Sequence, residues 1–157
     1  MPQVHPEEFP PSRLLTERAV ELFQGCFSPQ GMLAGLWLYH DDLGRAHTIA
    51  QDLNTPEGSF WHGIMHRREP DPGNAGYWFR RVGPHPVFPA LRDAVAELLP
   101  QHPASTFKLK AEWDPYAWID FWEEARRQPG TAKHRLSLEI QRVEWEILFN
   151  YCARPNE

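Results

Sequence analysis

At 157 residues, with 41% hydrophobic and 24% charged side chains, the chain has the size and composition of one globular domain. A formal net charge of -5 and a pI near 5.9 argue against nonspecific binding to nucleic acid, which needs a basic surface. No apolar run approaches the ~18 residues that cross a bilayer, and the opening MPQVHPEEFPP has neither the basic nor the apolar region of a secretory signal. The expectation is a single domain over 1–157 in the cytoplasm, with 1–11 as an extended or flexible arm.

Helix starts are marked by an oxygen-bearing residue followed by Pro at Ser28-Pro29, Thr55-Pro56, Asp71-Pro72 and Asp114-Pro115. The side-chain oxygen satisfies an orphan amide of the first turn, and Pro lacks the amide that would otherwise be unpaired there. In chain order, residues 12–25 carry Leu15, Ala19 and Leu22 at helical spacing, continued by Cys26. Residues 29–53 form one long helix or two, with Gly44 as the expected kink. Residues 56–69 and 72–82 make a tight helical hairpin broken at Pro70. Residues 87–99, 115–127 and 132–152 follow, the last with the longest clean apolar period, through Leu136, Ile140, Val143 and Ile147. Thr106 to Lys110 alternates, but one strand makes no sheet. The fold class is therefore all-α: six or seven helices packed as an irregular bundle. Cys26 and Cys152 read as free thiols unless the terminal helices pack together and bring them within reach of a disulfide.

The chemistry concentrates between Gly58 and His85, where three His and four Arg stand among aromatic residues. Helices that merely fill a core draw on Leu, Ile, Val and Ala. In the preceding helix, His40, Gly44, His47 and Gln51 continue an apolar stripe, so these polar groups need partners inside. His62, His66 and Glu69 fall at i, i+4 and i+7 on one face. Two imidazoles and a carboxylate are a competent set for zinc or ferrous iron, with a fourth ligand from His40 or His47. The zincin pattern H-E-x-x-H is absent. Arg68 shares the apolar arc of its helix with Trp61, Ile64 and Met65, so it is expected inside, paired with Asp41, Asp42 or Asp52; Arg67 is expected in solvent. Asp41 and Arg45 are expected as a solvated i,i+4 pair. On the next helix Trp78 belongs to the buried face with Ala75, Phe79 and Val82 and lines up with Asn74 and Arg81 along its edge, while Tyr77 and Arg81 are i,i+4 neighbours; an anion clamp is one use of Asn74, Tyr77 and Arg81 and an internal Arg–Asp network another.

The run SFWHGIMHRREPDPGNAGYWFRRVG, with the upstream HDDLGRAHTIAQ, resembles a segment of a family of small, mainly bacterial proteins with no activity attached to it. The likeness covers about residues 36–88 and implies no function. The helical architecture is also similar to small metal-binding bundles of the damage-inducible type. Those carry an H-x-x-x-H pair near the C-terminus, whereas here His62 and His66 lie mid-chain.

The functional expectation is a partly enclosed pocket holding a small anionic or metal-anchored molecule. His40, His47 and His62 are the candidate catalytic groups. Gln51, Arg68, Asn74, Tyr77 and Arg81 are the candidate ligand-binding groups. His62, His66 and Glu69 are the candidate ligands of a divalent transition metal. Catalysis there would be hydrolase or lyase chemistry, with His as general base and Arg as the electrostatic clamp. The alternative is a structural or interaction module in which the same side chains form a satisfied buried network.

Overall fold

The computed structural model describes residue 18 and residues 21–156. Among these are seven α-helices and no strand: α1 (Pro29–Tyr39), α2 (Leu43–Asp52), α3 (Pro56–Arg68), α4 (Pro72–Val82), α5 (Val87–Leu98), α6 (Pro115–Arg126) and α7 (Ala132–Ala153). A 3-10 turn, Leu99–Gln101, extends α5. The helix expected over 12–25 falls largely outside the described residues; its last part ends in a turn at 23–25.

The Pro-marked starts are helix starts for the expected reason. Ser28 accepts from the Gly31 amide at 3.3 Å, Thr55 from Gly58 at 3.1 Å, Asp71 from Asn74 at 3.1 Å and Asp114 from Ala117 at 3.0 Å. The segment 29–53 is two helices, and the break lies ahead of Gly44. Asp41 takes a positive φ of 61°, and Asp42 caps α2 by accepting from the Arg45 amide at 3.0 Å. An Asp–Asp pair supplies both the left-handed residue and the cap, so the glycine is not needed for the turn. Gly44 is exposed, and its nearest crowding atom lies 3.8 Å from where a Cβ would sit, so no other backbone approaches it closely. Thr106 to Lys110 forms no strand.

α3 is the centre of the structure. It packs against α1, α2 and α4, and all its residues from Glu57 to Arg67 are buried. Helices α2 and α4 close on it only because two of its residues lack side chains. A Cβ on Gly58 would lie 2.1 Å from the Leu53 carbonyl oxygen, and one on Gly63 would lie 2.8 Å from the Phe79 ring. The long α7 packs against α1, α5 and α6 and closes the core, with Leu136, Ile140 and Leu148 fully buried. Near the ends of the described chain, Cys26 and Pro155 form an isolated antiparallel bridge. Cys26 and Cys152 are free thiols.

One expectation is reversed. Arg67, not Arg68, is the buried guanidinium. Its side chain is 0% exposed, as is that of Glu144 on α7. The pair is bidentate: Arg67 Nη1 donates to Glu144 Oε1 at 3.1 Å and Nη2 donates to Oε2. The Trp118 indole N–H adds a bond to the same carboxylate at 3.3 Å, and Trp118 and Trp122 cover the guanidinium at 4.9 and 5.8 Å. Arg68 lies nearer the surface, donating to the Leu38 carbonyl and to the exposed Asp41, both at 2.6 Å. A helical-wheel reading assumes one dry and one wet face. A helix enclosed nearly all round has no wet face for Arg67 to occupy. The Asp41–Arg45 pairing is replaced as well: Arg45 pairs with Asp42 at 3.3 Å, and Asp41 with Arg68.

Candidate metal centre

The turn Leu53–Thr55 folds α2 back along α3, and the bare backbone at Gly58 lets the two approach. This brings His47 of α2 over His62 and His66 of α3. Each of the three imidazoles offers one nitrogen, and these nitrogens all lie within 4.8 Å of one another. The His62 and His66 rings stack at 4.8 Å between centroids, one helical turn apart. His47 meets His62 edge-on at 4.7 Å and His66 at 5.6 Å. His62 and His66 are buried and His47 is half-buried.

The surroundings fix these rings differently. His66 Nδ1 lies 3.0 Å from Glu69 Oε2 across the last turn of α3. That contact places the proton on Nδ1 and leaves Nε2 with its lone pair, the arrangement in which a carboxylate orients a metal-bound imidazole. His62 lies against the Trp78 ring of α4, 3.8 Å between centroids and nearly parallel. Both His62 nitrogens are buried and have no hydrogen-bonding partner in the protein. Burial, then the neighbouring His66 and His47, push the His62 imidazolium down to about 3. The ring is therefore neutral at physiological pH, the form that ligates a metal.

The remaining predicted residues stand around this core or away from it. Glu69 is an orienting partner of His66 and is not among the convergent nitrogens. His40 ends α1, is exposed, and meets Tyr39 edge-on rather than the cluster. Gln51 is exposed near the end of α2. Asn74 is exposed, and its Nδ2 donates to Asp71 at 2.7 Å as part of the α4 start. Tyr77 and Arg81 are both exposed; the Arg81 guanidinium lies over Trp78 at 5.2 Å and so contacts the ring that contacts His62. Arg68 is held by Leu38 and Asp41. The structure thus brings His47, His62 and His66 together with Glu69 behind them, and leaves His40, Gln51, Arg68, Asn74 and Tyr77 outside the cluster. Trp78 was expected on the buried face and along the edge of α4, not against His62. Its stacking role has no signal in the spacing of α3 or α4 taken separately.

No family model matches this chain, and neither a curated protein nor a solved structure matches it significantly.

Proposed function

We propose that the protein is a metal-dependent protein whose centre is one divalent transition ion held by His47, His62 and His66, with Glu69 orienting His66. The observation that carries this reading is His62. A neutral imidazole always has one N–H and one lone pair, and leaving such groups buried without partners costs roughly 1–3 kcal/mol each. A metal ion would take the lone pair, and two further imidazoles already stand beside it. A satisfied buried network, the competing reading, describes Arg67 and Glu144 well but leaves His62 unexplained.

Tetrahedral zinc with Zn–N bonds of ~2.0–2.1 Å holds its ligand nitrogens roughly 3.3 Å apart. From separations of up to 4.8 Å, the imidazole nitrogens need to close by at most about 1.5 Å. His47 is the ring with room to move. Three neutral nitrogen ligands leave the ion's charge uncompensated and a coordination position for water, the pattern of catalytic rather than structural zinc. An ion held by His47, His62 and His66 would supply Lewis-acid activation of a water, which suits hydrolase chemistry. Arg81 lies over Trp78, the ring stacked on His62, and is the cation assigned to steady an anionic substrate.

Elemental analysis of protein purified without a histidine tag tests the reading. About one equivalent of zinc, iron, nickel or manganese is expected, lost in a His47→Ala variant that keeps the helical spectrum. A saturating metal at about 100 Kd should stabilise the metal-free protein by ~2.7 kcal/mol. For a chain of this length that is a rise of roughly 5–10 °C in melting temperature. Less than about a tenth of an equivalent, with no thermal shift on adding these ions, would end it.

A further inference from the structure

The two buried imidazoles of α3 are oriented by different means. A metal-bound imidazole ordinarily donates its second ring N–H to a carboxylate or a carbonyl, which fixes the plane of the ring. His66 has such a partner in Glu69, 3.0 Å from Nδ1. His62 has none: both of its nitrogens are buried without a partner in the protein. An ion would take the lone pair of one nitrogen, and the N–H of the other would still have no acceptor. No hydrogen bond therefore sets which way the His62 ring faces, and the torsion that turns an imidazole is a soft one.

What His62 has instead is a flat neighbour. The Trp78 ring of α4 lies 3.8 Å away between centroids, at an interplanar angle of 18°. Three ring pairs among the described residues are stacked, and His62 belongs to two of them, with Trp78 and with His66. The Phe60–Phe79 pair between the same two helices meets at 71°, so flat packing is particular to the histidine. The contact has a local cause. Gly63 follows His62, and a Cβ there would lie 2.8 Å from the Phe79 ring. The missing side chain lets α4 come close, and Trp78, the residue before Phe79, is carried onto His62.

We propose, on the metal reading above, that Trp78 is a positioning residue of the metal centre. Its indole stands in for the hydrogen-bonding partner that His62 lacks. A parallel ring at van der Waals distance blocks rotation of the imidazole out of its plane, and so keeps a nitrogen within reach of His47 and His66. Trp78 acts on His62 and not on the ion.

Zinc and cobalt titrations of the metal-free parent, Trp78→Phe and Trp78→Leu test this, beside nitrogen NMR of the same proteins labelled at histidine. Phe keeps a flat face against His62, and Leu fills the space without one. Trp78→Leu should bind both ions about 10–100-fold more weakly, the usual loss for a missing orienting partner, with an altered visible spectrum of bound cobalt. Trp78→Phe should recover most of that loss. Arg80→Gln, whose guanidinium lies over Tyr77 at 5.9 Å, should bind like the parent. A merely structural Trp78 would lower the melting temperature of its variants and leave the affinity and the cobalt spectrum of the folded protein unmoved. Before any ion is added, the parent should show a single set of His62 ring signals and Trp78→Leu an exchanging one. A parent that takes up neither ion would remove the metal reading and this proposal with it. A folded Trp78→Leu that binds like the parent would remove this proposal alone, as would a Trp78→Phe that binds no more tightly than Trp78→Leu. Should Trp78→Leu lose its helical spectrum, the metal-free parent decides: a His62 ring already exchanging between orientations there overturns the proposal.

Discussion

Arg67→Met strands the carboxylate of Glu144 in the core and should be the most damaging of the single arginine substitutions. Both side chains are 0% exposed, and Glu144 would keep only the Trp118 N–H at 3.3 Å. Breaking a buried pair by removing one partner costs about 3–5 kcal/mol. For a chain of this length each kcal/mol is roughly 2–4 °C of melting temperature, so the loss is of order 6–20 °C. Arg68→Met loses an ion pair to an Asp41 side chain that is 80% exposed, worth ~0–1 kcal/mol, and one carbonyl bond worth ~0.5–1.5 kcal/mol. Adding Glu144→Leu to Arg67→Met removes the stranded charge and should recover more than half of the loss. It should not recover all of it, because the Trp118 N–H is then unpaired. Urea titration followed by circular dichroism measures all four proteins, provided that the transitions stay two-state. An Arg67→Met variant within about 1 kcal/mol of Arg68→Met would refute the buried-pair argument, as would a double variant no more stable than Arg67→Met alone.

Three further substitution series probe other parts of the structure. Glu69→Gln should keep the fold but weaken zinc binding by about 10–100-fold, because it acts through His66 rather than on the ion; unchanged zinc affinity by calorimetry would deny it that role. Gly63→Ala should destabilise by ~1–3 kcal/mol, since its methyl would meet the Phe79 ring at 2.8 Å. Gly76→Ala, with only the end of the Arg80 side chain at 3.7 Å, should gain ~0.5–1 kcal/mol from helix propensity, and thermal melts showing the same sign for both would contradict the packing. Burial pushes the Cys152 thiol up to about 12 from an ordinary 9.0. The folded thiol keeps its proton where the unfolded one loses it, so its contribution is full below pH 9 and lost as pH rises toward about 12. The slope is up to ~1.4 kcal/mol per pH unit. Denaturant titrations at several alkaline pH values should show a shallower decline for Cys152→Ala than for the parent; parallel curves would count against the shift.

The local sequence determined where four of the seven described helices begin. Ser28, Thr55, Asp71 and Asp114 act on amides two or three residues away, and Pro at the next position acts on its own backbone, so neither needs the rest of the molecule. The pairing of His62 with His66, and of His66 with Glu69, was legible for the same reason, since both span one turn of a single helix. Tertiary structure decided which histidine joins them. His40 and His47 lie on one stripe by angle, but the chain reverses at Asp41 and Asp42 and leaves His40 behind on α1. It also decided which arginine is buried. Helical periodicity ranks faces by the apolar side chains beside them. Arg67 is buried because α3 is surrounded, and its partner Glu144 lies on α7, 77 residues away. That distance is invisible to any window along the chain. The apolar arc of Trp61, Ile64 and Met65 announces one buried face of α3 but not its burial all round, because Gly58 and Gly63 admit the neighbouring helices on the other faces and the charge there is neutralised from outside.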